Sequence, residues 1–313
     1  MTTTALHPWG FETPDSLLRF RDFLAALTPG SARALADLGV SSAGVVDVLA
    51  DPTRTPLPGK EFRAHGRYYC DPPEFLTFLH GGSDGLHHGL WFDDGRTCAG
   101  VASYYTHDGG GIEYDPTGTP LTTVRDTLER VWRDLHDDDT TDPAVTARIE
   151  AAAQLRTDIR AFETDDRPET GLDYSRAHDR SFFRSPAEPA RLTTLDGAGA
   201  LVTGDTILDR PPHNGADEEK FAQYLYARFD EPETVAAWVT EARARCAAGD
   251  PAEALVLGRD LHWASWGDPV REAQAHELLV LAYTALDRPL LAELVTAVRE
   301  HRGQPSVDVL GGR

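Results

Sequence analysis

Residues 67–94 read RYYCDPPEFLTFLHGGSDGLHHGLWFDD, and this stretch decides the fold of the first half of the chain. Tyr68, Tyr69 and Cys70 read as an extended aromatic run. Asp71-Pro72-Pro73 breaks it, because proline fixes its own φ, donates no hydrogen bond and pushes the preceding residue out of the helical region. Residues 74–79 resume an apolar run, residues 81–85 (GGSDG) form a turn, and residues 88–92 make a second short strand that ends at Asp93-Asp94-Gly95. Two strands joined by a glycine-rich hairpin follow from this pattern.

The flanks extend the unit in both directions. Residues 14–27 carry Leu17, Leu18, Phe20, Phe23, Leu24 and Leu27 at helical spacing, and Thr28-Pro29-Gly30 stops the helix. Shorter apolar elements cover 32–38 and 45–49, and a loop with three prolines spans 51–60. Beyond the hairpin, 97–105 alternates as a third strand, Gly109-Gly110-Gly111 turns into 112–114, and 121–135 is an amphipathic helix. Residues 8–140 therefore read as a small antiparallel sheet with flanking helices. A connector helix and polar linker are expected over 141–190, followed over 191–303 by a domain of antiparallel helices. Three of those helices carry proline at or near the first helical position. The fold class is α+β.

The 313 residues favour two domains, and the formal net charge of −21 argues against binding nucleic acid or an anionic membrane directly. No run of about 18 apolar residues predicts a membrane span. The start, MTTTALHPWGF, lacks the basic and apolar regions of a signal peptide. Cys70, Cys98 and Cys246 lie far apart and form no CxxC pair, so a reducing cytoplasm and no structural zinc are expected. A monomer without cofactor or metal fits this composition.

Several constellations bear on chemistry. His80, Asp84, His87, His88, Asp93 and Asp94 are dense, but their spacing matches no compact ligand motif, and adjacent His87 and His88 in a strand face opposite ways. Polar turn residues with one packed histidine explain them better than a metal site does. A hydrolase or transferase using His80, His87 or Asp84 requires those side chains to converge. The glycines at 109–111 precede no phosphate-binding helix. Arg210 sits in a Pro-rich loop from which an exposed guanidinium can grip a carboxylate. Asp250 caps the next helix with Glu253 three residues on, a pattern that capping alone explains. Trp263 and Trp266 flank a helix end as core or interface anchors.

At RYYCDPPEF the chain resembles the histone PARylation factor family, the accessory proteins of poly(ADP-ribose) polymerases. The likeness continues through residues 14–27, 34–40, 46–50, 68–77 and 88–93, through Gly197-Ala198-Gly199, and through Ala254-Leu255-Val256-Leu257-Gly258-Arg259-Asp260-Leu261, 278–283 and 290–301. The resemblance implies a non-enzymatic accessory protein whose C-terminal domain docks on an ADP-ribosyltransferase catalytic domain and completes its active site. In the family, a carboxylate in an acidic turn before the LxLG helix acts as base toward a substrate serine. The matching positions here are Ala247-Ala248-Gly249-Asp250, and the base falls on Ala248, which takes no proton. Glu253 is a substitute one helical turn on. Arg210 falls on the family's polymerase-gripping arginine, and Gly249, Asp250 and Glu253 complete the expected docking surface. An alternative function is a toxin-neutralising, immunity-type binding module, because the PPEF-turn-strand unit also resembles SMI1/KNR4-like domains.

Overall fold

The computed structural model describes residues 5–6, 9–137, 141–164 and 191–311. Most of the expected linker lies outside the described residues. Two short strands, β1 (Ala5–Leu6) and β2 (Phe11–Glu12), pair antiparallel. The main sheet is antiparallel, in the order β3 (Ser41–Ser42), β4 (Phe75–His80), β5 (Leu86–Trp91), β6 (Gly100–Tyr105), β7 (Glu113–Asp115). The hairpin read from residues 75–91 is the β4–β5 pair, with Phe75 opposite Trp91 and His80 opposite His87.

Both faces of this sheet are covered. Leu76, Phe78, Leu90 and Val101 join the main core with α1 (Asp15–Ala26), α3 (Val45–Ala50) and α4 (Pro120–Asp137). Phe75, Trp91, Ala102 and Tyr104 form a second cluster that takes in Ala198 and Trp263 from the C-terminal half. Gly89 is required on that face, because a Cβ there would stand 2.5 Å from the Phe75 ring. Helix α2 (Pro29–Asp37) and α4 both pack on α5 (Pro143–Arg160), the expected connector.

One expectation needs correction: residues 68–70 are not a strand. The Pro72-Pro73 pair leaves carbonyls that no ladder can use, and the chain instead wraps around the Arg67 guanidinium. Arg67 donates to the carbonyls of Phe75, Asp71 and Pro72 at 2.5, 2.9 and 2.7 Å. Asp71 closes the turn by accepting from the Tyr68 amide at 2.9 Å.

The C-terminal half is helical as expected: α6 (Glu218–Phe229), α7 (Pro232–Ala247), α8 (Ala252–Trp263), α9 (Pro269–Ala285) and α10 (Pro289–Val298). Proline occupies the first turn of α7, α9 and α10. Helix α8 lies between α7 and α9, and all twelve of its residues are buried. The tail then returns to the first half, where Leu57 and Gly66 donate backbone bonds to Val309 and Val307, each at 2.8 Å.

Candidate functional site

A helix with no solvent side must find a partner for every polar residue it carries. Four polar residues of α8 do so by holding other segments. Glu253 is 1% exposed, and its Oε2 accepts from the Ile207 amide at 2.6 Å. Seven residues on, along the same face, Asp260 accepts from the Leu195 amide and from Arg210 Nη2, both at 2.7 Å. Arg259 reaches the other way. It donates to Asp196 through Nε at 2.7 Å, and its Nη1 stands 3.5 Å from Glu74 on the sheet side. Tyr283 of α9 also donates to Glu74, at 2.8 Å. His262 Nε2 donates to the Asp71 carbonyl at 3.1 Å. The loop from 191 to 210 and the proline turn are thus fixed to one buried helix.

Burial sets the electrostatics. It raises the pKa of Glu253, with Arg210 and the Ile207 amide pulling the other way. Asp260 is raised for the same reason, although Arg210 opposes it. Burial disfavours the charge on Arg259, but Asp196 and Glu74 outweigh it and raise its pKa.

The turn entering α8 is the exposed part of this assembly. Ala247, Ala248 and Gly249 are all exposed. Gly249 adopts φ +96° with open space around its Cα, a conformation suited to glycine. Asp250 points inward. Its Oδ1 accepts from Ala252 N at 3.2 Å and its Oδ2 from Asp205 N at 3.3 Å. Helix α8 begins at Ala252, one residue later than the reading of Asp250 as its cap. Gly204 lies so close that a Cβ there would stand 2.2 Å from Asp250 Oδ1.

The four residues expected at a docking surface therefore surround one loop, but in different ways. Gly249 faces solvent and Asp250 is half-buried. Glu253 is enclosed. Arg210, read as an exposed loop arginine, has a side chain only 2% exposed, because Asp260 and the Thr193 carbonyl hold its guanidinium inside. An unpaired Asp260 at that depth would be costly, which is why the arginine turns inward.

The His/Asp cluster of the hairpin is split: His80 and His87 are cross-strand neighbours that both pack on Tyr68, while His88 and Asp93 are engaged elsewhere. His87 is fully buried, with Nε2 2.8 Å from Asp71 Oδ1 and Nδ1 2.8 Å from the Gly85 carbonyl oxygen. Tyr104 donates to the same Asp71 oxygen at 2.5 Å. Burial would raise Asp71, but His87, Arg67 and these hydrogen bonds more than offset it and hold the carboxyl below its ordinary value. His88 lies on the opposite face beside Phe78, where burial lowers its pKa to about 3. Asp93 is taken by a two-pronged pair with Arg191 at 2.9 and 2.5 Å and by Trp91 Nε1 at 2.9 Å. Among the described residues no group of three or more His, Cys, Asp or Glu could hold a metal ion, and no helix is long and apolar enough to cross a membrane.

The Asp71–His87–Tyr104 knot and the Glu74–Arg259–Asp196 bridge escaped the sequence reading. Their members are 16 to 185 residues apart. The only local signal was the acid on either side of the prolines, Asp71 and Glu74.

Comparison with known proteins bears on the first half of the chain. The family model described as Histone PARylation factor 1 matches residues 4–164. A Danio rerio protein, Histone PARylation factor 1, is 35% identical over 83 residues, 26% of this chain and 24% of the relative. The alignment thus spans about a quarter of that relative's length. Helix α8 and the turn before it lie beyond residues 4–164.

Proposed function

The chain belongs to the histone PARylation factor 1 family, and from that premise we propose that it is a non-enzymatic accessory protein that binds and modulates an ADP-ribosyltransferase. The docking face is the exposed turn Ala247–Gly249 with Asp250 beneath it. Arg210 and Glu253 shape that face from within by fixing the 203–210 loop. The protein supplies no base of its own for serine modification. One observation carries this last point: the exposed turn offers only alanine and glycine, while the nearest substitute, Glu253, is 1% exposed and committed to the Ile207 amide. A base must reach the proton it removes, and Glu253 could do so only if the 203–207 loop left α8.

The test mixes the protein with a poly(ADP-ribose) polymerase catalytic domain and NAD. Complex formation is read by calorimetry, and the modified residues by mass spectrometry. Binding without a shift of modification to serine is expected, and Ala248→Glu should introduce serine modification at unchanged affinity. Failure to bind any such catalytic domain overturns the accessory role. Serine modification by the unaltered protein overturns the missing base.

A further inference from the structure

A second feature lies at the far end of α8, about 18 Å along the helix from the docking turn, and does not depend on the docking reading. There the proline turn, the α8–α9 connection and the returning tail enclose a cavity of about 160 Å³. Its charge is opposite to that of the chain as a whole. Two arginines, Arg67 and Arg302, line it against one carboxylate, Asp71, and that carboxylate already accepts hydrogen bonds from His87, Tyr104 and the Tyr68 amide.

Two donors remain at its wall. Arg302 uses Nε and Nη2 on the carbonyls of Tyr69 and His262, at 3.0 and 2.9 Å, which positions the guanidinium and leaves Nη1 over. Lys60 donates to Gln304 Oε1 at 2.6 Å, so the Gln304 amide nitrogen faces His301 Nδ1, at 2.7 Å. A ring that accepts at Nδ1 carries its proton on Nε2.

An aromatic platform stands at the same place. Trp266 is 61% exposed and stacks on Tyr69, with centroids 5.9 Å apart and planes 17° apart, and the Arg302 guanidinium lies over the Tyr69 ring at 4.2 Å. Trp266 is held at φ +42°, which is unfavourable for a bulky residue and marks a side chain kept in place by its surroundings.

A guanidinium with a donor to spare beside an open aromatic face recognises an anion that carries a flat ring. We propose that this cavity is a binding site for a nucleoside monophosphate, with the phosphate at Arg302 and His301 and the base on Trp266. Calorimetry with AMP, inorganic phosphate and adenosine tests the assignment on the full chain. AMP should bind at least about tenfold more tightly than either part. Trp266→Gly relieves the backbone strain and should weaken AMP about tenfold without moving the thermal midpoint. His301→Ala should weaken AMP and phosphate alike. No heat of AMP binding at millimolar concentration refutes the site. So does AMP affinity unchanged in both variants while their thermal midpoints match the parent. Phosphate binding as tightly as AMP refutes the ring platform.

Discussion

Replacing Arg259 by methionine should be among the most damaging single changes available to this chain. Its guanidinium is 1% exposed and lies between Asp196 of the 191–210 loop and Glu74 of the proline turn, with Trp91 5.2 Å below it. Methionine nearly matches its volume, so the cost is not a cavity. It comes from leaving two carboxylates, each 2% exposed, without their cation. Breaking a buried pair costs about 3–5 kcal/mol, set against a total stability of about 5–15 kcal/mol. With a urea slope of about 3 kcal/mol/M, the midpoint should fall by roughly 1–1.7 M. The control is Arg243→Met, which removes a pair exposed at 48% and 43% and should cost under about 1 kcal/mol. Adding Asp196→Asn to the Arg259 variant should recover part of the loss, because it neutralises one stranded charge. A fall equal to the control's, or no recovery in the double variant, would refute burial of uncompensated charge as the cause.

Two further changes have opposite pH signs. Asp71 is held below its ordinary 3.8, so its stabilisation is complete above that value and is lost as pH falls through its lower folded pKa. Asp71→Asn should therefore cost most near neutrality, and the deficit in urea midpoint should shrink below about pH 4. Glu253 is raised above its ordinary 4.5, so the folded state gains from its proton at low pH and loses that gain as pH climbs through the folded pKa. Glu253→Gln should thus become more favourable relative to the parent as pH rises above 4.5, read by the same titration. Burial pushes the Cys70 thiol up to about 12, so iodoacetamide should label Cys70 only after unfolding, as mass spectrometry would show.

Much of the architecture was legible because it rests on local pattern. The glycine turn at 81–85 fixes the β4–β5 hairpin, the periodicity of 121–135 marks α4, and Pro232 and Pro289 announce α7 and α10, whereas Pro251, read as the first residue of α8, stands just before it. Tyr68–Cys70 misled because an apolar aromatic run looks the same in a strand and in a turn, and only the arginine satisfying the proline-turn carbonyls decides between them. The inward orientation of Arg210 was equally hidden, since its partner Asp260 lies 50 residues on. The turn before α8 and the helix itself were legible from local pattern, but which of the acids there meets solvent depended on the Ile207 amide, 46 residues from Glu253.

The complete burial of α8 has a consequence for how this protein can change. Positions on its other helices can vary singly wherever they meet water, but α8 offers no such position. A change at 259 must be answered at 74 or 196, and one at 260 at 210, so tolerated substitutions at these positions should come in pairs with strong double-mutant coupling. Ala247 and Ala248 in the exposed turn, joined to the same helix, carry no such obligation. New side chains can be tried there one at a time, on a mount that stays fixed.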